Sequence, residues 1–192
     1  TNANDEIVIN GNALFAARTR LEAGRIILRG NLVQEAINTA LQPGATVFVF
    51  EGTSPQTVRF QRPGTSNQSF FNNVIVRNAS GVSFLSDVHI TGLLQLENGG
   101  RVQQQDSVGA YFHNQLPRTG GGEYRVRKSY LVGPIVMNED CALPQPENDL
   151  TIVARNALTL NGHRLHVGGS FNVKAYGEQK HLIMAAPTDA LL

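Results

Sequence analysis

Residues 24–32 read GRIILRGNL, and residues 163–171 read HRLHVGGSF. Both stretches place an arginine before two apolar residues that are spaced by two, followed by a glycine, a polar residue and another apolar residue. Apolar residues at every second position turn one face of a β-strand towards a core, and glycine beside a polar residue marks a turn. A strand, a turn and a second strand are therefore predicted in two distant parts of the chain.

The same alternation runs through most of the 192 residues. Asn-Gly, Gly-Gly and Pro-Gly turn signals separate the alternating stretches. Only residues 31–41 allow a helical interpretation, and because they are few and include Val, Ile, Thr and Asn we expect a turn or a single helical segment there. The chain is predicted to be all-β, with the alternating pairs Ile7/Ile9, Ile26/Leu28, Val47/Val49, Val74/Val76, Val82/Phe84, Val88/Ile90, Leu94/Leu96, Leu150/Ile152, Leu158/Leu160, Leu165/Val167 and Phe171/Val173.

Two architectures fit many short strands joined by regular turns: an antiparallel sandwich or barrel, and a parallel solenoid. A second internal repeat favours the solenoid, because Asp87–Ile90 and Asp149–Ile152 are each followed by another apolar pair and an Asn-Gly turn. Units that recur about every 20 residues are typical of β-solenoid turns. We predict one β-solenoid domain over residues 1–192, roughly 45 Å long, with an antiparallel β-sandwich as the alternative.

Composition and charge disfavour several classes of function. The formal net charge is +1, from 16 basic and 15 acidic residues, which provides no field for a phosphate backbone or an anionic membrane. No apolar run approaches the roughly 20 residues of a membrane helix, and if the parent protein is exported, its signal is expected to lie outside this sequence. Cys141 is the one cysteine, so neither an internal disulfide nor a cysteine-based zinc site is possible.

Four segments resemble large bacterial surface proteins built from β-strand repeats. Residues 21–34 resemble the pattern L-x-A-G-x-L-x-L-x-G-N-F-x-Q, and residues 158–171 resemble L-x-L-N-G-x-x-L-x-V-G-G-x-F. Residues 47–60 and 71–92 are similar to further strand-turn-strand segments of that family. The resemblance implies an extracellular or cell-surface, tandemly repeated, right-handed parallel β-helix, and it carries over no catalytic residue.

Residues 103–148 depart from this repeat pattern and are predicted to be irregular and loop-rich. Insertions of a solenoid emerge on one face and often carry function, so a ligand site is sought here first. Aromatic rings of this segment can stack on sugars, and its arginines can pair with uronate carboxylates. The candidate binding residues are Tyr111, Phe112, Tyr124, Arg125, Arg127 and Tyr130, and the alternative is a loop that shields the solenoid or contacts a neighbour.

No catalytic residue, metal ligand or cofactor is predicted. A glycosidase needs two facing carboxylates at about 5 to 10 Å, whereas the acidic residues here are isolated; Glu139 and Asp140 would point to opposite faces of a strand, or occupy a solvated turn. His163 and His166, three residues apart, would also face opposite ways on a strand. We expect Cys141 to be a buried, inert thiol.

The two ends of the sequence can be aligned with each other. Residues 185–192 can be laid over residues 1–8, which places Asp189 on Asp5. An uncapped solenoid end exposes an apolar cross-section and free strand edges, so we expect one unit to continue into the next, within a chain or between chains. The residues predicted for this end-to-end stacking are Ile7, Ile9, Leu191 and Leu192, and the alternative is a chance alignment.

The sequence thus predicts a structural spacer or fibre-forming segment of a bacterial extracellular or surface protein, whose partners are neighbouring repeats or other copies of itself. The alternative is a carbohydrate-binding adhesin module that holds a glycan on the aromatic segment. A polysaccharide lyase or glycosidase is a more distant alternative. Neither nucleic-acid binding nor membrane insertion is expected.

Overall fold

The computed structural model describes residues 2–35, 41–153, 156–174 and 181–192. Within these residues the chain forms no helix, and parallel sheets stack as a β-solenoid of about 8 turns. The predicted parallel β-helix is therefore confirmed over the antiparallel sandwich. The expectation for residues 31–41 is wrong in its first part, because Leu32–Gln34 is a strand; residues 36–40 lie outside the described residues.

Three long sheets form the walls of the solenoid, with strands numbered in chain order. The first contains β1 (Glu6–Ile9), β4 (Arg25–Leu28), β7 (Val47–Phe50), β9 (Asn73–Val76) and β12 (Leu94–Leu96). The second contains β2 (Ala13–Phe15), β5 (Leu32–Gln34), β8 (Gln56–Phe60), β10 (Val82–Phe84), β13 (Arg101–Gln104) and β15 (Glu123–Arg125). The third contains β11 (Val88–Ile90), β14 (Ala110–Phe112), β16 (Lys128–Leu131), β19 (Asp149–Val153) and β22 (Phe171–Lys174).

Shorter sheets extend these walls. A two-stranded sheet contains β3 (Thr19–Arg20) and β6 (Leu41–Gln42), a fourth sheet contains β17 (Ile135–Val136), β20 (Leu158–Thr159) and β23 (Leu182–Ile183), and a fifth contains β18 (Cys141–Leu143), β21 (Arg164–Val167) and β24 (Ala190–Leu191). The fifth sheet prolongs the first, because a parallel bridge links Gln95 to Arg118 and the Thr119 hydroxyl donates to the Ala142 carbonyl.

Residues 103–148 continue the solenoid, and between Phe112 and Glu123 they hold only an isolated bridge at Arg118. Strands β14, β15 and β16 of this segment pair in register with earlier turns. The second sheet ends at β15, and the fourth sheet begins at β17. The buried Asn148 amide donates to the carbonyls of Tyr124 (3.1 Å) and Val126 (3.2 Å), and so satisfies backbone acceptors where the second sheet ends.

Side chains of successive turns stack into one elongated core. Ile26, Phe48 and Val74 are register partners on neighbouring strands of the first sheet, and all three are buried. Phe71 packs its ring against Phe48 and Phe60, with 5.0 Å between ring centroids in each pair. Burial of each such side chain contributes about 1.5–3 kcal/mol, so the core provides the main stabilisation of the stack.

Two of the Asn-Gly turns that the sequence predicts are present in the structure. Asn98 and Gly99 have φ values of 54° and 75°, and Asn161 and Gly162 have values of 53° and 88°. Two consecutive residues with positive φ suit Asn-Gly better than any other common dipeptide. These positions therefore fix corners of the solenoid.

Buried amides tie consecutive turns together at the corner between the first and second sheets. The Gln56 carboxamide donates to the carbonyls of Leu28 and Gly30 in the preceding turn, and its oxygen accepts from the Gly52 N–H at 2.9 Å. Asn78, in the following turn, donates to the same oxygen at 2.9 Å. One side chain thus connects three turns through four hydrogen bonds.

Candidate functional site: a ring ladder and a polar groove

The four predicted aromatic residues do not share one surface. Tyr111 and Tyr130 are half-buried on the outer face of the third sheet, whereas Phe112 (0% exposed) and Tyr124 (1%) lie in the core. The prediction is therefore corrected for Phe112 and Tyr124, because neighbouring residues of a strand point to opposite faces and these two point inwards. Burial raises the pKa of the Tyr124 phenol, which is hydrogen-bonded to the Ser129 hydroxyl at 2.8 Å.

Tyr111 and Tyr130 belong to a stack of rings that we call the ring ladder: His89, Tyr111 and Tyr130. The three residues are register partners on β11, β14 and β16, so the rings lie above one another. The centroids of His89 and Tyr111 are 4.4 Å apart with an interplanar angle of 5°, and those of Tyr111 and Tyr130 are 4.7 Å apart at 20°. Because both faces of Tyr111 are covered, a ligand ring can stack only at an end of the ladder.

A glycine and a carboxylate shape the side of the ring ladder. A Cβ atom on Gly109 would lie 2.7 Å from the Tyr130 ring, so this ring needs glycine at that position. The Asp87 carboxylate accepts the Gly109 N–H at 2.8 Å and lies 3.5 Å from the Tyr111 hydroxyl. Burial and the nearby Asp87 charge raise the pKa of Tyr111 to about 12, which keeps the phenol protonated at neutral pH.

His89 also meets a second imidazole. Its Nδ1 lies 3.1 Å from Nε2 of His113, on the next turn, and the two ring centroids are 5.4 Å apart. Burial, followed by the effect of His113, lowers the pKa of His89 to about 4 despite the opposing effect of Asp87. Burial also lowers the pKa of His113. Both rings are therefore neutral at neutral pH, and one donates a hydrogen bond to the other.

The two predicted arginines are engaged in ion pairs away from the ring ladder. Arg125 is exposed on the second sheet and pairs with Glu123 of the same strand. Arg127 lies between the second and third sheets and pairs with Asp106, with 3.0 Å between Nη1 and Oδ1. The structure therefore does not gather the predicted tyrosines and arginines into one sugar-binding site.

A polar groove, which the sequence did not indicate, lies along the first and fifth sheets. It has a volume of about 550 Å³, and it opens where the rung at Pro117–Thr119 is held by a single bridge rather than a strand. Its lining combines hydrogen-bonding groups from four turns: Gln95, Arg118, Glu139, Asp140, Arg164 and His166. Glu139 and Asp140 line this one groove from an exposed bend, which agrees with the predicted solvated turn and not with a strand.

Two of the groove's four charged residues are tied to each other. Arg118 forms an ion pair with Glu139. The Asp140 carboxylate accepts the Arg164 backbone N–H at 2.9 Å and lies 3.5 Å from Nδ1 of His163. Among the described residues, the Arg164 guanidinium has no ion-pair partner, so it can hydrogen-bond to a bound molecule.

Side chains at the ends of the strands of the first sheet form a column that alternates in charge. We call Arg29, Glu51, Arg77 and Glu97 the charge ladder. Arg29 pairs with Glu51 at 3.2 Å, and Arg77 contacts Glu51 at 3.7 Å and Glu97 at 2.8 Å. Each of these residues directly follows a strand of the first sheet. The position after each strand is visible in the sequence, but the four residues become neighbours only through the register in which the strands pair.

The ends of the described solenoid expose the residues predicted for stacking. Ile7 is 56% exposed, Leu191 37% and Leu192 64%, while Ile9 packs partly against the core. The aligned aspartates also form the same turn: the Asn2 N–H donates to Asp5 at 2.9 Å, and the Ala186 N–H donates to Asp189 at 2.9 Å. Both turns lead into an edge strand, β1 or β24.

The described residues contain a buried cysteine and no cluster of three metal ligands. Cys141 is buried, and burial raises the pKa of its thiol to about 12. Among the described residues, no group of three or more His, Cys, Asp or Glu side chains can hold a metal ion. Those residues also contain no helix with the length and apolar character needed to cross a membrane.

Comparison of the chain with protein-family models, with curated proteins and with solved structures gives no match. The resemblance to bacterial surface repeats therefore stays a prediction.

Proposed function

We propose that the chain is a structural spacer or fibre segment of an extracellular or cell-surface protein, in which stacked turns set a fixed distance between other parts. The observation that carries this proposal is the parallel pairing of successive strands in register along the walls of the solenoid. About 8 turns at about 4.8 Å each give a rod of about 40 Å. The charge ladder adds contacts along the same axis.

The mechanical role depends on load shared among many backbone hydrogen bonds. Pulling the chain by its two ends in a single-molecule experiment tests it directly. A spacer should keep its length under load and then extend in steps, one or a few turns at a time, because each turn contacts only its neighbours. Smooth extension from the lowest forces would contradict a spacer role.

Head-to-tail assembly is the second part of this proposal. It is supported by the exposed apolar side chains at both ends and by the matching Asp5 and Asp189 turns. A strand edge without a partner pairs with another edge of suitable shape. We therefore expect association that grows with concentration and elongated particles whose lengths are multiples of the monomer length.

Sedimentation and electron microscopy of end variants test the assembly. Ile7→Lys and Leu191→Lys each place a charge on an end, and both should abolish association. Val136→Lys is the matched control, because Val136 is also an exposed apolar strand residue (60%) but lies on the fourth sheet. Monomers at every concentration, or association that survives both end variants, would refute head-to-tail assembly.

The polar groove favours a second candidate function, the binding of an acidic oligosaccharide. Arg164, His166 and Gln95 present hydrogen-bond donors along an open groove, and a guanidinium can bind a uronate carboxylate through two parallel bonds. Binding to a glycan array should be lost in Arg164→Ala and retained in Arg59→Ala, a control on the exposed face of the second sheet. Equal binding by both variants would contradict this candidate.

A further inference from the structure

The two imidazoles beside the ring ladder are held in a fixed arrangement. Stacking on Tyr111 at 4.4 Å and 5° fixes the plane of the His89 ring. His113 is two residues beyond Tyr111 on the next turn, and its Nε2 faces Nδ1 of His89 at 3.1 Å. Backbone pairing of β11 with β14 sets this distance, because His89 and Tyr111 are register partners.

The distance between the two nitrogens suits a shared metal ion. Metal–nitrogen bonds to imidazole are about 2.0–2.1 Å long. Two nitrogens 3.1 Å apart then subtend about 95–102° at a common ion. This range lies between the right angle of the tetragonal geometry of Cu²⁺ and the tetrahedral angle, so either coordination accepts the pair. A metal ion can therefore bind both nitrogens when the ring that donates the hydrogen bond carries its proton on its other nitrogen instead.

The charge at this place also suits a cation. The Asp87 carboxylate acts electrostatically on His89 in the direction that favours a positive charge there.

We propose that His89 and His113 together bind one Cu²⁺ ion, through Nδ1 and Nε2 respectively, with water completing the coordination. No third acidic, histidine or cysteine ligand joins the pair within the described residues. The site is therefore a two-ligand surface site, in which Cu²⁺ binds more tightly than Ni²⁺ or Zn²⁺ by the general order of divalent metals.

Titration of the full chain with Cu²⁺ alone, at neutral pH, tests the proposal. With one ion bound per chain, the electron paramagnetic resonance spectrum of Cu²⁺ should show hyperfine coupling to two nitrogen ligands of similar strength. This measurement needs no variant. Affinity should fall by more than about tenfold in His89→Asn and in His113→Asn, since even the loss of an outer-sphere partner costs that much. His163→Asn, which removes a histidine that lies beside Asp140 and far along the chain from the pair, should bind like the unchanged protein.

Several results would overturn the site. These are a spectrum with fewer than two nitrogen ligands, no one-to-one binding, or an affinity that His89→Asn and His113→Asn leave unchanged. Circular dichroism of each variant establishes that the solenoid is folded, and a variant that unfolds is replaced by the corresponding glutamine substitution.

Discussion

Replacement of the Gln56 carboxamide should uncouple three turns of the solenoid. Gln56→Leu keeps the approximate size of the side chain but removes all four of its hydrogen bonds, and it leaves the Leu28 and Gly30 carbonyls and the Gly52 N–H without this partner in a buried corner. A neutral hydrogen bond contributes about 1 kcal/mol net, and an unsatisfied buried group costs about 1–3 kcal/mol. The leucine recovers about 1 kcal/mol through its apolar surface.

The expected result is a loss of about 3–4 kcal/mol in the free energy of unfolding. For a chain of this size that corresponds to a Tm decrease of roughly 6–15 °C. Denaturant and thermal unfolding, followed by circular dichroism, measure both quantities. Gln103→Leu is the control, because Gln103 has the same side chain on the exposed face of the second sheet and, among the described residues, donates only to the Ser83 hydroxyl.

The control should change the stability by less than about 0.5 kcal/mol. If Gln56→Leu destabilises the protein no more than Gln103→Leu does, the buried amide is not a tie between turns. The reasoning that inward polar side chains hold the corners would then be refuted, and the apolar core alone would account for the stacking.

Three further predictions follow from other described contacts. Gly100→Ala should destabilise the fold by about 1–3 kcal/mol, because the new Cβ would meet the Val76 carbonyl oxygen, whereas Gly11→Ala meets nothing within 4 Å and should be close to neutral in a thermal melt. The Cys141 thiol should resist a thiol-specific disulfide reagent in the native protein and react in denaturant; rapid native reaction would contradict its burial and raised pKa. Since the pKa of His89 is about 4 when folded and 6.5 in the unfolded chain, the unfolded state binds more protons between these values. The free energy of unfolding should therefore fall as the pH drops from 6.5 to about 4. Denaturant unfolding at a series of pH values measures this decrease, which should be smaller in His89→Asn.

Local signals in the sequence predicted much of the fold. Alternation at Val82/Phe84 and Leu94/Leu96 predicted strands that the structure contains, because the faces of a strand are set by the two-residue repeat of its own backbone. The Asn98-Gly99 turn was equally readable, since few other dipeptides accept two positive φ values.

The same rule could have corrected the candidate site in advance. Tyr111 and Phe112 are adjacent on a strand, so they cannot face the same side, and alternation with the buried residues of β14 assigns Phe112 to the core. Membership of residues 103–148 does not distinguish the two faces of a strand, so it could not separate Phe112 from Tyr111. Tyr124 follows the same logic on β15, where it is the inward residue between two exposed or half-buried neighbours.

By itself, the sequence determined which residues form strands, which faces are apolar and where the chain turns, because these depend on neighbours along the chain. Only the tertiary structure decided which outward side chains meet. Nineteen residues separate the register partners Ile7 and Ile26, whereas 26 separate Phe48 and Val74. Since the length of a turn varies in this way, contacts such as that between His89 and His113 are fixed by the pairing of backbones across turns, and no period in the sequence specifies them.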